Sequence, residues 1–548
     1  FLGKVLRGYS VAADNFKRSW PEAAMAVLCR GWDVLMKPGG AVWLLLGTLI
    51  WLGIFGWPRS LHIPDEGRYV GVAWDMVRFD STWTPLLNGL PYFHKPPLFY
   101  WLNEASFLLF GAHEWAARLP SILISWATVV GLYLFVRRHR GVEVATISVL
   151  ALITMPYYYG ASQYANLDML VAGMMVLTIL AGAEAVSRAA NNEPHASWFA
   201  IAAGFLAALA VLSKGLIGVV LPGGVLFFWL LVTQRWIGFK VLLAPGVWLA
   251  FLSIMVPWFA LMEIHYPGFL HYFFVYQHFE RYLSDGFNQQ QPFWFFLPVV
   301  FGMSMPWSAW LIRFAWQRGP VSAESSWLWL MGLWMAVIMI FFSIPTSKLI
   351  GYTVPVLPPL AVLIAEAVFA TWKGARAQRD IRWTTITLVT AALSCMLALV
   401  IFLFANDRSS KPFVEQFQSE MTVNDQFVFL DVYPFDMQFY TKDPKPAWVV
   451  FNWPALPKGD TWRNELAEAG AHVPQKASEV LITPDKVVPR ICAQPNRTYW
   501  FVAYPETKAQ APYLANLNPV YVTRYRVAMW KLVPDEAFVQ QWCQGDKQ

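Results

Sequence analysis

Long apolar runs recur along the first three quarters of the chain, and short polar connections separate them. Most runs are roughly 16 to 25 residues long, close to the length with which a helix crosses the hydrocarbon core of a bilayer. The pattern therefore predicts a polytopic α-helical membrane protein. We place eleven spans, near residues 41–57, 119–136, 142–158, 168–187, 197–212, 215–233, 241–262, 293–312, 325–343, 349–370 and 383–405.

The stretch 407–548 has a different pattern. Short strand-like runs at 426–432, 447–453, 498–504 and 525–533 alternate with turn-rich and helix-like stretches. Charged residues are about twice as frequent here as in the preceding part of the chain, as expected for a surface that faces water. This pattern predicts a small soluble domain of the α/β or α+β class.

Composition excludes several classes of protein. Apolar residues make up 57% of the chain and charged residues only 14%, whereas about a quarter of a typical soluble protein is charged. A soluble enzyme, a disordered chain and a fibrous protein are therefore excluded. We predict three segments: a cytoplasmic or interfacial N-terminal segment 1–40, a transmembrane catalytic domain 41–406 with a long first outer loop 58–120, and a soluble domain 407–548.

The basic residues indicate orientation. They give a net charge of +6 but form no dense run suited to nucleic acid, so we expect no nucleic-acid partner. The segment 98–111 is apolar but short and contains Asn103 and Glu104. Interpreting it as an interfacial or re-entrant helix keeps the cluster 137–140 on the cytoplasmic side, as the positive-inside rule requires. An odd number of spans then places the N-terminus inside and the soluble domain outside, where Cys492 and Cys543 could form a disulfide.

The first outer loop holds the first candidate site residues. A helix beginning after Pro64 would place Asp65, Arg68 and Tyr69 on one face. Two prolines after Lys95 stiffen the chain and aim that side chain. A charged residue at the membrane edge costs free energy, which favours a functional role for Asp65. The alternative is that Asp65 is only a helix N-terminal acid paired with Arg68.

The later outer connections add further polar residues, each with a plainer alternative. Asp168 starts a span and could be an ordinary helix N-cap. A spacing of three puts His278 and Arg281 on one helical face, unless they only decorate an interfacial aromatic helix. Lys348 lies among hydroxyl-bearing residues at a helix N-terminus, which suits the binding of a phosphate. Alternatively, its long side chain only extends from the helix end to place its charge in water. Lys214 receives less weight, because a tight turn between two helices suffices to explain it.

Together, two acids and several cations on one membrane face suit a lipid-linked phosphate substrate. The cations would hold a phosphate leaving group as its glycosidic bond breaks. An acid would deprotonate or orient the acceptor and stabilise an oxocarbenium-like sugar. The sequence contains neither a Walker loop nor a Rossmann fingerprint, so a soluble nucleotide donor is not indicated.

The outer-loop motifs resemble those of the bacterial lipid A aminoarabinose transferases. These are undecaprenyl-phosphate 4-amino-4-deoxy-L-arabinose arabinosyl transferases of the GT-C superfamily, related to the protein O-mannosyltransferases. The resemblance covers nearly all of 58–359. It rests on PDEGRYVGVAWDM, HKPPLFYWL, NLD, SKG, HYFFVYQHFERY followed by QPFWFFLPV, and TSKLIGYTVPVLPPLA.

The resemblance implies a GT-C fold of about 11–13 transmembrane helices and a specific reaction. That reaction is inverting transfer of aminoarabinose from undecaprenyl phosphate to lipid A phosphates at the periplasmic face of the inner membrane, which confers resistance to polymyxin and other cationic peptides. The implied partners are the undecaprenyl-phosphate-linked sugar as donor, lipid A and membrane lipids, with no cofactor required. The implied site consists of catalytic Asp65 and Asp168, donor-phosphate ligands Arg68, Lys95, Arg281 and Lys348, and cavity-lining Glu66, Tyr69, His278 and Tyr352.

Three questions stay open at this point. An enzyme like the protein O-mannosyltransferases would use a polyprenyl-phosphate mannose donor and a Ser/Thr acceptor. A polytopic transporter is a different class, but transporters usually bury charge near the middle of the bilayer and often carry internal repeats. Whether a metal is bound is unknown: no cluster strongly implies a catalytic metal, although outer-facing histidines could hold an ion.

Overall fold

The computed structural model describes residues 30–37, 39–56, 59–280, 290–317, 326–372, 377–405, 408–457, 459 and 461–544. Arg281 and most of the N-terminal segment 1–40 lie outside these residues, as do the side chains of 278–280.

Each of the eleven predicted spans corresponds to a helix or to a pair of helices. Ten of the membrane-domain helices are Gly40–Gly53, Glu114–Arg140, Val142–Thr154, Pro156–Ser162, Leu167–Ala190, Ala196–Lys214, Ile217–Val232, Pro245–His265, Ser326–Ser343 and Ala377–Ala405. The others are Ile237–Leu242, Phe296–Gly302, Ala309–Gln317 and Leu357–Trp372, which follows the 3-10 helix Ile350–Val356. A π-helix spans His271–Glu280.

Within the described residues, seven helices are long and apolar enough to cross a membrane, or up to nine if each bent pair forms one span. The predicted multi-pass architecture is confirmed. Four predicted spans take a shorter or a divided form. The run 41–57 is a helix of 14 residues, and the run 142–158 divides into two helices at Pro156. The run 215–233 is a helix of 16 residues, and the run 293–312 divides into two short helices around a turn that contains Pro306, a residue that cannot continue a helix.

The first outer loop is ordered. It contains the helix Asp65–Arg78, the antiparallel strands β1 (Leu86–Leu87) and β2 (Leu90–Pro91), and the helix Leu98–Phe110. The last helix has 13 residues, too few to cross the hydrocarbon core. Its C-terminal Leu108, Leu109 and Phe110 are exposed, as expected of the interfacial helix that the sequence predicts.

The soluble domain is built on a six-stranded sheet. Its strands are β3 (Gln426–Leu430), β4 (Trp448–Val450), β5 (Leu481–Ile482), β6 (Tyr499–Ala503), β7 (Tyr521–Val522) and β8 (Ala528–Leu532), in the order β5-β4-β3-β6-β8-β7. The first four strands are parallel, and β8 and β7 complete one edge in antiparallel fashion. Its helices are Lys411–Phe417, Met437–Thr441, Trp462–Ala471, Pro474–Val480, Val487–Ala493 and Glu536–Phe538.

All four predicted strands are confirmed, and the domain belongs to the α/β class. The two unpredicted strands, β5 and β7, have two residues each, which is too short for an alternating pattern to be seen. A disulfide joins Cys492 to Cys543.

The two faces of the sheet pack into different cores, because successive side chains of a strand point to opposite faces. Val428, Phe501 and Trp530 belong to a core within the soluble domain. Phe429 and Trp500 on the other face belong to a core that continues into the membrane domain. The soluble domain is therefore joined to the membrane domain by apolar packing.

The helix Asp65–Arg78 lies against the soluble domain. A Cβ atom on Gly71 would lie 2.8 Å from the carbonyl oxygen of Phe435, and one on Gly67 would lie 3.3 Å from the backbone nitrogen of Asp436. Both glycines thus permit a close approach that a side chain would prevent. At the C-terminal end of this helix, Arg78 donates to the carbonyl oxygens of Asp443 (2.7 Å) and Lys445 (3.1 Å).

Candidate active site

Asp65 is the first residue of the helix that follows Pro64, as the sequence predicts. Asp65 is solvent-exposed, but neighbouring protein atoms still exclude part of the water around its carboxylate. Their desolvating effect raises the pKa of Asp65, while Arg68 opposes the rise and Asp168 adds to it. The Lys214 ammonium opposes the rise as well, so the charges of Asp168 and Lys214 both act on Asp65.

Asp168 lies in the first turn of the helix Leu167–Ala190, but it is not the N-cap. Asn166 caps this helix, because its side-chain oxygen accepts a hydrogen bond from the backbone nitrogen of Asp168 (2.9 Å). The Asp168 carboxylate instead forms an ion pair with Lys214. Gly351 lies so close that a Cβ atom there would be 2.5 Å from the carboxylate oxygen Oδ2.

Lys214 is a site residue to which sequence reasoning gave too little weight. It ends the helix Ala196–Lys214, and its ammonium lies 4.8 Å from the ring centre of Tyr352. A signal was present in the sequence: Asp168 begins one predicted span and Lys214 ends the next. Two consecutive spans run in opposite directions, so both residues were bound to lie at the same membrane face.

Glu66, the neighbour of Asp65, is fully buried. Arg118 donates from Nε to Oε1 and from a terminal nitrogen to Oε2, both at 2.9 Å, and Arg59 lies 3.3 Å from Oε1. Burial alone would raise the pKa of Glu66, but the two guanidinium groups lower it to about 2. Glu66, which the sequence predicts to line the cavity, has no solvent-exposed surface in this structure.

The Glu66 carboxylate also joins two loops. It accepts hydrogen bonds from the backbone nitrogens of His62 and Ala165, both at 2.9 Å. His62 precedes the helix of Asp65, and Ala165 precedes the helix of Asp168. We call Glu66, Arg59 and Arg118 the clamp. Through these bonds the clamp connects the two segments that carry the predicted catalytic acids.

Arg68 faces the soluble domain. One terminal nitrogen lies 3.1 Å from Oε1 of Glu465 in the helix Trp462–Ala471, and the guanidinium carbon lies 4.8 Å from the ring centre of Phe435. Burial would lower the pKa of Arg68, but the Glu465 carboxylate reverses this effect, so the net direction is upward. Tyr69, from the same helix, packs edge-on against Phe99 at 6.3 Å.

The Lys-Pro-Pro segment lies next to this contact. Lys95 is half-buried, and the preceding His94 places its ring nitrogens 4.0 Å from Glu465 and 3.3 Å from Glu468. Glu468 in turn accepts a hydrogen bond from the hydroxyl of Tyr272 (2.7 Å). The soluble domain thus contributes two carboxylates, Glu465 and Glu468, that sequence reasoning did not find.

Lys348 is buried, at 2% exposure. Its ammonium donates to the carbonyl oxygens of Gln291 (3.0 Å) and Pro345, so it holds a loop together. Tyr352 stacks on Phe342, with ring centres 4.9 Å apart, and its ring faces Lys214. The predicted site residue Arg281 and the side chain of His278 fall in the part of the chain that is not described.

Among the described residues, no group of three or more His, Cys, Asp and Glu side chains is placed to hold a metal ion. The charged side chains of the site, by contrast, suggest a definite chemistry. We call Asp65, Asp168, Lys214 and Tyr352 the recess; Arg68, whose charge acts on Asp65, contacts the soluble domain. Carboxylates can support a developing positive charge, and the cations can hold a phosphate.

A family model described as dolichyl-phosphate-mannose-protein mannosyltransferase matches residues 94–260. The matched part begins at His94 and includes Asp168 and Lys214, but not the segment that carries Asp65.

Two curated relatives are undecaprenyl phosphate-alpha-4-amino-4-deoxy-L-arabinose arabinosyl transferases. The protein from Enterobacter sp. (strain 638) is 28% identical over 366 residues, which cover 65% of this chain and 64% of the relative. The protein from Pseudomonas fluorescens (strain Pf0-1) is 30% identical over 331 residues, which cover 59% and 58%. The chain therefore spans about three fifths of the length of these relatives, and the resemblance seen in the motifs is confirmed.

Crystal structures of ArnT from Cupriavidus metallidurans share the fold. The structure bound to undecaprenyl phosphate superposes with a TM-score of 0.76 and 24% identity, covering 90% of this chain and 98% of that one. The apo structure gives a TM-score of 0.75. The predicted fold class is thus confirmed: a polytopic helical membrane protein of GT-C type with a C-terminal soluble α/β domain.

Proposed function

We propose that this protein is an inverting glycosyltransferase that moves 4-amino-4-deoxy-L-arabinose from undecaprenyl phosphate to phosphate groups of lipid A. The observation that carries the proposal is the recess, where Asp168 pairs with Lys214 beside Tyr352 and both charges act on Asp65, in a fold shared with ArnT. The undecaprenyl phosphate named with that crystal structure and the activity named for the curated relatives support the choice of donor and sugar.

Asp65 has the principal catalytic role in this proposal. A phosphate acceptor is already anionic near neutral pH, so it scarcely needs a strong base. Asp65 therefore orients the acceptor and supports the positive charge that develops on the sugar in an oxocarbenium-like transition state. Asp168, held by Lys214, adds negative potential on the same side.

The donor phosphate is held by cations of the candidate site. Arg68 and Lys95 are the first candidates, and Arg281 completes the set; the Lys348 ammonium, predicted to join them, is occupied by backbone carbonyl oxygens. A guanidinium suits this task because its N–H groups match the oxygens of a phosphate. Tyr69, Tyr352 and His278 line the cavity. The undecaprenyl-phosphate-linked sugar supplies the energy, and we propose that no further cofactor is required.

We place the protein in the bacterial inner membrane, with the N-terminus in the cytoplasm and the recess and soluble domain in the periplasm. The Cys492–Cys543 disulfide supports this orientation, because disulfides persist in the periplasm and are rare in the cytoplasm. The aminoarabinose adds a positive charge to lipid A, so the activity confers resistance to polymyxin and other cationic peptides.

Mass spectrometry of lipid A tests the function directly. A polymyxin-sensitive strain that makes the donor but lacks a transferase should gain aminoarabinose on lipid A when it expresses the wild-type chain. It should not gain it when it expresses Asp65→Asn at the same level. Unmodified lipid A in the presence of folded wild-type protein would reject the proposal.

A second candidate is a protein O-mannosyltransferase, which the family-model match over 94–260 favours. Such an enzyme would use a polyprenyl-phosphate mannose donor and a Ser/Thr acceptor, whose hydroxyl needs a base more than a phosphate does. Mannosylated periplasmic proteins, together with unmodified lipid A in the same cells, would select this candidate.

A further inference from the structure

A carboxylate of the soluble domain contacts one of the predicted phosphate-binding residues. Glu465, in the helix Trp462–Ala471, is 6% exposed, and its Oε1 atom lies 3.1 Å from a terminal nitrogen of Arg68. Arg68 stands one helical turn after Asp65. A residue of the soluble domain is thus one contact away from the site that the membrane domain builds.

This contact leaves Arg68 little freedom. The Phe435 ring lies against the guanidinium, with 4.8 Å between its carbon and the ring centre, and Glu465 holds one terminal nitrogen. Both Phe435 and Glu465 belong to the soluble domain. The Arg68 side chain nevertheless stays 23% exposed, so an incoming group can reach it.

Attachment of the two domains does not explain Glu465. Arg78, at the other end of the same helix, already binds the soluble domain through the carbonyl oxygens of Asp443 and Lys445, and Gly71 allows close backbone packing there. Glu465 instead carries a cost, because its buried Oε2 atom has no hydrogen-bond partner among the described residues. Glu465 lies closer to Arg68, at 3.1 Å, than to His94, at 4.0 Å, so this costly buried carboxylate indicates a role in orienting the arginine.

We propose that Glu465 is a positioning residue for the donor phosphate: it orients the Arg68 guanidinium, so that the soluble domain completes the active site. The inference rests on the proposed function, because it takes a polyprenyl phosphate as the group that Arg68 meets. An arginine fixed before the substrate arrives loses less conformational freedom on binding, which strengthens the complex. Glu465 acts through Arg68 and does not itself touch the substrate.

A double-mutant cycle on the full-length detergent-solubilised protein tests this role. The probe is undecaprenyl phosphate, whose binding is measured for wild type, Glu465→Gln, Arg68→Ala and the double variant. We expect Glu465→Gln to weaken binding about tenfold in the wild-type background and to have almost no effect in the Arg68→Ala background, since contacting residues are not additive. In the transfer assay, KM for the donor should rise while kcat stays nearly unchanged.

The matched control is Glu479→Gln, which removes an exposed carboxylate from the next helix of the same domain. It should leave binding and KM unchanged. If Glu465→Gln does not fold, Glu465→Asp keeps the charge on a shorter side chain. That variant should lose part of the affinity, and again only where Arg68 is present.

Two results would overturn the inference. An equal loss of binding in both backgrounds would show that Glu465 acts independently of Arg68, and tighter binding by Glu465→Gln would show that it competes with the phosphate. Failure of the proposed function looks different: folded wild type would then neither bind undecaprenyl phosphate nor transfer aminoarabinose. In that case the inference falls with it.

Discussion

The clamp and the recess are two charged clusters joined by the adjacent residues Asp65 and Glu66, yet they differ in burial and in charge compensation. In the clamp, Glu66 is fully buried between Arg118 and Arg59, and backbone N–H groups complete its hydrogen bonding. In the recess, Asp65 is exposed, and the side chains of Asp168 and Lys214 remain 19% and 14% exposed. The charged residues of the clamp and those of the recess therefore have different roles.

The adjacent residues Asp65 and Glu66 show what separates these uses. The environment lowers the pKa of Glu66 to about 2 and raises that of Asp65. Partners inside the protein stabilise the ionised form of Glu66, whereas the surroundings of Asp65 destabilise its ionised form. A carboxylate whose charge is not fully compensated by the protein is available to compensate a charge on a substrate. The recess, and not the clamp, is where such chemistry belongs.

The largest effect should follow from Asp65→Asn. The amide keeps the size of the side chain but removes the charge that supports the sugar cation, so transfer should fall by about two to four orders of magnitude. Reconstituted transfer of aminoarabinose to lipid A measures this loss. Undecaprenyl phosphate should still bind, and the thermal unfolding temperature should change little, because Asp65 is exposed.

Glu66→Gln is the control for that variant, with the opposite expectation. It leaves Arg118 and Arg59 buried without a carboxylate, and removing one partner of a buried ion pair costs about 3–5 kcal/mol. The unfolding temperature should drop markedly, and activity should be lost in proportion to the folded protein. If Glu66→Gln stayed as stable as wild type while Asp65→Asn unfolded, the distinction between clamp and recess would be wrong.

Much of the fold follows from the sequence. Apolar runs of sufficient length predict each of the seven long membrane helices among the described residues, because hydropathy is a local property. The four longer strands of the soluble domain are equally local. The division of the run 293–312 into two helices was missed, although Pro306 lies within it, because apolar length was weighed above the break that a proline imposes.

The site was harder to predict, because its partners come from distant parts of the chain. Asp65, Arg68 and Asp168 carried local signals. The ion pair between Asp168 and Lys214 joins two helices, and Glu465 meets Arg68 across nearly 400 residues of sequence. Glu66 was placed in the cavity because it adjoins Asp65. Only the three-dimensional structure shows that adjacent residues of this helix face a buried clamp and an open recess.

A smaller effect distinguishes Lys214 and Lys348, to which the sequence analysis gave different weight. Lys214 pairs with Asp168 inside the recess, so Lys214→Ala should lower kcat by about ten- to a hundredfold. Lys348 binds backbone carbonyl oxygens, so Lys348→Ala should chiefly lower the unfolding temperature.

Single-turnover and thermal measurements on both lysine variants separate these effects. A larger loss of kcat in Lys348→Ala than in Lys214→Ala would show that Lys348 belongs to the recess and that its loop forms part of the site.

The smallest effect is the pH dependence of stability, which should have opposite signs for the two neighbouring carboxylates. The folded-state pKa of Glu66 is about 2, below its ordinary value of 4.5, so its contribution is present above pH 4.5 and is lost as the pH falls towards 2. The difference in unfolding temperature between wild type and Glu66→Gln should therefore shrink on acidification.

Asp65 should show the opposite trend. Its pKa is raised from 3.8, so its ionised form opposes folding. Wild type should therefore gain stability relative to Asp65→Asn as the pH falls through that raised value. Thermal unfolding of the three proteins across pH 3 to 7 checks both signs. If both differences changed in the same direction, the two carboxylates would share one environment, and the contrast between clamp and recess would not hold.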